Sequence, residues 1–216
     1  GIGRARIMTG MRERKRRERK DAIIDAAMEL FQRIGYEQTK MEEIAARADI
    51  SPPTLYRYFP RKTELLVALF WKDRERLAGA LEAFHKKSAS WDAASSVAGL
   101  LYLNNTGVRS KTERKLRREI MAALMRMHDE AHDEFRAIKQ YFEKHIERML
   151  QRLRRDGLIS EDAPLPAMVS VLYAVAAENY HRMIANEFKS AEDEKRAMDE
   201  QVGLVLEGWL TAKRLP

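Results

Sequence analysis

Apolar residues recur at helical spacing along almost the whole chain. Ile23, Ala27, Leu30 and Ile34, with Ile24 and Phe31 beside them, form one stripe, and Gly35 follows where a left-handed helix cap is wanted. The segment TKMEEIAARA puts Met41, Ile44, Ala45 and Ala48 on one face of a second, short helix, with Thr39 and Glu42 in capping-box spacing. Ser51 then reads as an N-cap, and Pro52 and Pro53 fall in the first turn of a third helix, where a missing N–H loses no intrahelical bond. Leu65, Leu66, Leu69, Leu77, Leu81 and Phe84 carry a long fourth helix. Beyond residue 88, NNTGVRS ends one helix, and Ser110 with Glu113 caps another bearing Leu116, Ile120, Leu124 and Met127. Phe135, Ile138, Phe142, Ile146, Met149 and Leu153 line a long helix closed by Gly157. PLPAMVSVLYAVAAENYHRMI is apolar nearly all round, and Met198, Val202, Val205 and Trp209 line a last helix. With no alternating strand pattern of any length, the chain is predicted to be all-α, with about nine helices in a small N-terminal unit and a larger C-terminal bundle.

The stretch SPPTLYRYFP, residues 51–60, carries the candidate chemistry. Two short helices joined by a tight turn form a helix-turn-helix, whose second helix enters the DNA major groove. At about 100° per residue, Leu55 and Phe59 turn to the core, while Pro53, Thr54, Tyr56 and Arg57 face outward and Tyr58 sits at the flank. That outer surface offers an apolar wedge for a thymine methyl, two hydroxyls and a guanidinium suited to guanine or phosphate. Lys62, just past the helix, adds a point charge for phosphate.

Charge sharpens this picture. The chain has 216 residues and a formal net charge of +7. Residues 1–62 hold 15 Lys+Arg and 9 Asp+Glu, net +6, so the basic excess is an N-terminal property, as expected where one end meets a polyanion. The run RERKRRERK has two readings: arginines reaching a minor groove or phosphate, or a disordered, solvated tail. Cysteine is absent, which excludes disulfides, cysteine metal sites and a thiol nucleophile. No apolar run approaches a membrane span and no signal-peptide pattern is present, so a soluble, cytoplasmic protein without membrane partners is expected. HDEAH sets His128 and His132 four residues apart, but Asp129 stands where a zinc protease needs Glu, so no metal is expected. Neither a Gly-rich phosphate loop nor a catalytic triad order stands out, which leaves an enzyme little to build on, and no cofactor is expected.

The order DAAMELFQRIGYEQTKMEEIAARADISPPTLYRYFPRKTELLVALF resembles the DNA-binding domain of the TetR/AcrR family of transcriptional regulators over about residues 20–70. The matching features are Gly35-Tyr36, Thr39, Ile44-Ala45, TLYRYF, and Lys62 ahead of Glu64-Leu65-Leu66. By that resemblance Thr39, Ser51, Tyr56, Tyr58 and Lys62 contact phosphate, and Pro52, Pro53, Thr54, Tyr56 and Arg57 face bases. One departure is Asp49, at a turn position that is usually Gly. The expected organisation is a basic arm over 1–20, a DNA-binding domain over 21–67 and an effector-binding and dimerisation domain over 68–216.

The resemblance also implies a homodimer joined by its last two long helices, here roughly 165–188 and 191–213, binding a palindromic DNA operator. The all-round apolar helix independently favours a partner, and Met168, Val171, Leu172, Val175, Val202, Val205 and Trp209 are the expected contacts. It further implies a small-molecule effector in the C-terminal bundle that releases DNA. Polar or soft groups interrupting apolar faces nominate Tyr102, Asn105, Met121, Met125, Tyr141, His145, Glu178 and Asn179, with an apolar or aromatic ligand. The alternatives are a regulator without an effector, or a helical enzyme or scaffold that does not use DNA.

Overall fold

The computed structural model describes residues 2–106, 110–126 and 129–211. Met127 and His128, and the side chains of Leu124, Asp129, His132 and Phe135, lie outside the described residues. Nine α-helices and two 3₁₀ turns, with no strand, account for the described residues. The chain divides into two compact units, residues 1–70 with 119–127, and residues 71–118 with 128–216.

Unit 1 holds α1 (Ile2–Ile34), α2 (Met41–Arg47), α3 (Pro52–Tyr58) and the first turns of α4 (Lys62–Lys87). Its buried side chains are the ones the periodicity singles out, among them Ile23, Phe31, Ile44, Leu55, Leu65 and Leu66. Residues 2–20 form the first turns of α1, where an arm was expected ahead of it. From residue 10 to residue 22 this extension is exposed all round, so it is held by the helix propensity of Arg, Lys and Glu and by pairs such as Arg14–Glu18, not by a buried face. Gly35 ends α1 at φ +93°, a conformation that penalises a Cβ, and its N–H donates to the Phe31 carbonyl.

The start of α2 differs from the expected capping box by one residue. Lys40 is the N-cap, and its N–H donates to Glu43 Oε2 at 2.7 Å. The Thr39 hydroxyl is instead buried and donates to the Gly35 carbonyl at 2.7 Å, which leaves Glu42 available to α3. At the other end of α2, Ile50 N–H donates to Ala45 O and Asp49 N–H to Ala46 O, a Schellman closure with Asp49 at φ +54°. The left-handed region costs a residue with a Cβ about 1 kcal/mol or more. Asp49→Gly is therefore expected to raise stability by about 0.5–1 kcal/mol, read as a higher urea midpoint at unchanged slope.

Unit 2 gathers α5 (Ala93–Leu103), the start of α6 (Lys111–Met125), α7 (Asp129–Arg155), α8 (Leu165–Ile184) and α9 (Ala191–Leu206). The apolar helix α5 packs against α7, α8 and α9, and Val97, Leu100 and Leu101 are fully buried there with Phe142, Met149, Leu172 and Val202. Gly99 gives α5 its close approach to the end of α4, since a Cβ there would lie 2.5 Å from Phe84 Cζ. Gly157 closes α7 at φ +69° and Asn186 closes α8 at φ +61°.

The expected dimer contacts divide between core and surface. Met168, Leu172 and Val202 are buried in the chain's own bundle, because the partners an all-round apolar α8 needs come partly from α7 and α9. Val175, Val205 and Trp209 are half-buried against that core, while Val171 is 49% exposed. Leu204 and Leu210, at 73% and 48% exposure, share this apolar exposure without having been expected.

Candidate nucleic-acid interface

Ser51 accepts a hydrogen bond from Thr54 N–H and its Oγ lies 2.9 Å from Thr54 Oγ1, so the cap forms as the sequence predicts. Leu55 and Phe59 are buried, which fixes the rotation of α3 and leaves Ser51, Pro52, Pro53, Tyr56 and Arg57 exposed, with Thr54 and Tyr58 half-buried. Pro52 and Pro53 hold the first turn without an N–H to offer, so the polar chemistry of this surface is carried by side chains. Tyr56 donates its hydroxyl to Glu42 Oε1 on α2 at 3.3 Å. Desolvation, then the Glu42 charge and that hydrogen bond, push the phenol upward, so it stays protonated and able to donate.

Two expected contacts are placed differently. Thr39 is 1% exposed with its hydroxyl committed to Gly35 O, so it fastens the α1–α2 turn. Lys62 spends its ammonium on three carbonyls of the same turn, Tyr36 O at 2.8 Å, Thr39 O at 3.0 Å and Glu37 O at 3.3 Å. The ammonium also lies 4.3 Å from the centre of the Tyr36 ring. Tyr36 in turn packs edge-on against Phe31 and donates its N–H to Glu119 Oε2 at 2.9 Å. Burial, with the Glu37 charge, raises its phenol to about 12. Lys62 thus ties α4 to the turn ahead of α2. Lys62→Met is expected to cost the free protein about 2 kcal/mol, because partly buried carbonyls lose a charged donor. A urea titration without DNA checks this, since a side chain acting only on phosphate would leave that midpoint unchanged.

The basic run expected either at DNA or as a solvated tail forms a helical face beside this surface, a form the sequence reading did not give it. Arg12, Lys15, Arg16 and Arg19 on α1 line an open groove of about 800 Å³ together with Glu18, Arg57 and Tyr58. Lys20 continues that face, with its ammonium 5.7 Å from the centre of the Phe59 ring. The spacing of residues 12, 15, 16 and 19 is that of one helix face, and it was open to reading once the segment was taken as helix. The result is a cationic wall beside the outward surface of α3.

The residues nominated for a ligand pocket do not converge. Tyr102 and Asn105 line one cavity in unit 2. Tyr141 stacks edge-on to His145, which pairs with His85 across 3.3 Å. Asn179 is buried and donates to Val175 O and Gln201 Oε1, while Glu178 is exposed. Met121 and Met125 belong to unit 1, and Met125 is 80% exposed. Polar interruptions of an apolar stripe mark buried hydrogen-bonding positions, and several such positions are scattered through the bundle.

His85, 7% exposed, has its pKa lowered to about 4 by burial, then by the Arg148 and His145 charges, with Glu82 opposing. The folded value lies below the unfolded one of 6.5, so between the two the unfolded chain binds a proton that the folded chain does not. The stabilisation is complete above that unfolded value and is lost as pH falls toward the folded one. A loss on the order of 1–2 kcal/mol between pH 7 and pH 5 is expected, and His85→Gln should flatten the denaturation midpoint over that range.

A short, proline-started helix held by two buried anchors, with hydroxyls, an arginine and a cationic flank outside, defines a helix-turn-helix DNA-binding regulator. The comparisons with known proteins narrow that class. Residues 23–69 match the pattern described as "Bacterial regulatory proteins, tetR family". The transcriptional repressor KstR of Mycolicibacterium smegmatis is 30% identical over 148 residues, covering 68% of this chain and 68% of that protein. The chain belongs to the TetR family of bacterial transcriptional regulators and is not an enzyme. The fold is shared with Thermus thermophilus FadR, solved with lauroyl-CoA, at TM-score 0.66 and 24% identity over 91% of this chain and 98% of that one. Bacillus subtilis FadR, solved with stearoyl-CoA, gives TM-score 0.64 and 20% identity over 87% and 97%. Among the described residues, no helix is long and apolar enough to cross a membrane.

Proposed function

We propose that the chain is a homodimeric repressor that grips a palindromic or near-palindromic operator with two copies of α3 and releases it when a small molecule enters unit 2. The observation that carries the reading is the outward face of α3, where Pro53, Tyr56 and Arg57 stand exposed over the buried anchors Leu55 and Phe59. Arg57 is the bidentate candidate for guanine, Pro53 the apolar contact for a thymine methyl, and Ser51 and the Tyr56 hydroxyl the groups for phosphate. Thr39 fastens the turn between α1 and α2, and Lys62 ties α4 to that same turn. The cationic face of α1 supplies further phosphate contacts beside it.

Exposed Val171, Leu204 and Leu210 support pairing of α8 and α9 with those of a second copy. Such a dimer sets two recognition helices about 34–36 Å apart, one turn of B-DNA. The acyl-CoA complexes of the two FadR proteins support a bundle that accepts small molecules. Selection of bound duplexes from a random-sequence pool tests the whole reading. Enrichment of an inverted repeat with half-sites about one helical turn apart, or a multiple of it, is expected. A pool that stays random, or a single unrepeated half-site, would count against it.

A further inference from the structure

We propose that the cavity between the end of α5, the start of α6 and the α8–α9 junction binds a zwitterion, an α-amino acid with an apolar side chain. This rests on the reading of unit 2 as the ligand-responsive part and specifies where and what it binds. The cavity has a volume of about 380 Å³ and lies wholly within unit 2. That is enough for a compact molecule.

One carboxylate and two cations stand in its wall. Glu194, one turn into α9, is 7% exposed and lines the cavity. Its Oε1 accepts from Asn105 Nδ2 at 2.9 Å, whereas its Oε2 takes no donor among the described residues and, unlike the sealed Asn105 Oδ1, is open to the cavity. Burial raises the Glu194 pKa against the opposing effects of that hydrogen bond and of the Arg114 charge, so the carboxylate is short of positive partners. Lys189 is exposed at the rim, and its ammonium has no hydrogen-bond or ion-pair partner among the described residues. Ser190 caps α9, which puts Lys189 and Glu194 on either side of the cap, at the two positions whose side chains commonly meet as an apolar pair across a helix start. Here those positions hold opposite charges joined by no ion pair, and both face one cavity.

The ligand chemistry follows from that arrangement. Glu194 Oε2 calls for a charged donor, and Lys189, with Arg114 in the same wall, calls for an anionic acceptor. An α-amino acid carries an ammonium and a carboxylate on one carbon. A bare cation would meet Lys189 and Arg114, and a bare anion would meet the buried carboxylate. Met183 is buried, and Tyr102 and Phe188 are half-buried at the wall, which provides apolar surface for the side chain of the ligand.

Phenylalanine is the probe, with hydrocinnamate as the analogue that lacks the ammonium and phenethylamine as the one that lacks the carboxylate. Chemical-shift titration of the full-length protein is expected to show saturable phenylalanine binding at millimolar strength or tighter, appropriate to so small a molecule. Each analogue should bind at least about tenfold more weakly, since it leaves one charge of the site unmatched. Glu194→Gln should weaken phenylalanine about tenfold yet leave hydrocinnamate no weaker, and Lys189→Gln should weaken phenylalanine yet leave phenethylamine no weaker. A variant that merely loosened the bundle would weaken probe and analogue alike. Equal affinity for phenylalanine and either analogue in the unaltered protein overturns the proposal, and that comparison needs no variant to fold. So does the absence of saturable phenylalanine binding. Adding phenylalanine to the protein–DNA complex separates the two levels of the reading. Binding at this cavity with DNA retained upholds the site and removes the ligand-release function, whereas binding with DNA released upholds both.

Discussion

Leu55→Ala is expected to destabilise unit 1 by about 2–5 kcal/mol and to abolish measurable operator binding. Leu55 is fully buried and is one of the two anchors that set the rotation of α3. Truncating it removes transfer energy and leaves a cavity, a loss comparable to a large part of the total stability of a small domain. With seven residues, α3 has too little helix of its own to persist once that anchor is gone. The damage can be located spectroscopically. Trp91 and Trp209 lie within unit 2, whereas Trp71 directly follows the last residue of unit 1 on α4, so tryptophan fluorescence is weighted toward unit 2. The loss should appear as an earlier circular-dichroism transition, with the fluorescence transition shifted less. Coincident, unshifted transitions in the variant would contradict the packing described for α3.

The second large effect concerns the face of α1. Replacing Arg12, Lys15, Arg16 and Arg19 together by Ala is expected to lower affinity at low salt at least tenfold and to flatten the salt dependence. Each phosphate contact contributes about 0.9 to the slope of log K against log salt, so losing four should reduce its magnitude by roughly 3–4. Ala favours helix at least as well as the residues it replaces, so helix content should persist and the change should be read as lost charge. Base preference should be unchanged, because phosphate contacts carry no sequence information directly. A slope equal to that of the unaltered protein would place these residues away from DNA.

Much of unit 1 was legible in the sequence because its signals are local. The stripe of Ile23, Ala27 and Leu30, the Ser51 cap, the prolines of the first turn and the alternation of buried Leu55 and Phe59 with exposed Tyr56 and Arg57 depend only on neighbours within one or two turns. Asp49, marked by the family resemblance as standing at a turn position that is usually Gly, does adopt the left-handed conformation. The role of Lys62 was not legible, because a lysine just past a recognition helix looks the same whether its ammonium faces phosphate or three carbonyls from residues 36–39. The basic run has no apolar stripe and so reads as an arm, although its charges recur at helical spacing and it forms the first turns of α1. In unit 2 the pattern identified buried faces but not what covers them. The apolar surface of α8 suggests a partner chain, whereas much of it meets α7 and α9 of the same chain. Likewise, polarity in an apolar stripe marks Tyr102 and Asn105, but Glu194, which shares their cavity, lies on α9 far along the chain and shares no pattern with them.

The central claim is that the outward face of α3 reads DNA, and fluorescence-anisotropy titration of the chain's own upstream duplex tests it most directly. The unaltered protein should bind with a steep salt slope. Arg57→Ala should lower affinity for that duplex by about 1–3 kcal/mol, with a much smaller effect on unrelated sequence and an unchanged urea midpoint. Equal affinity of the unaltered and Arg57→Ala proteins for both duplexes, with both folded, would contradict the account.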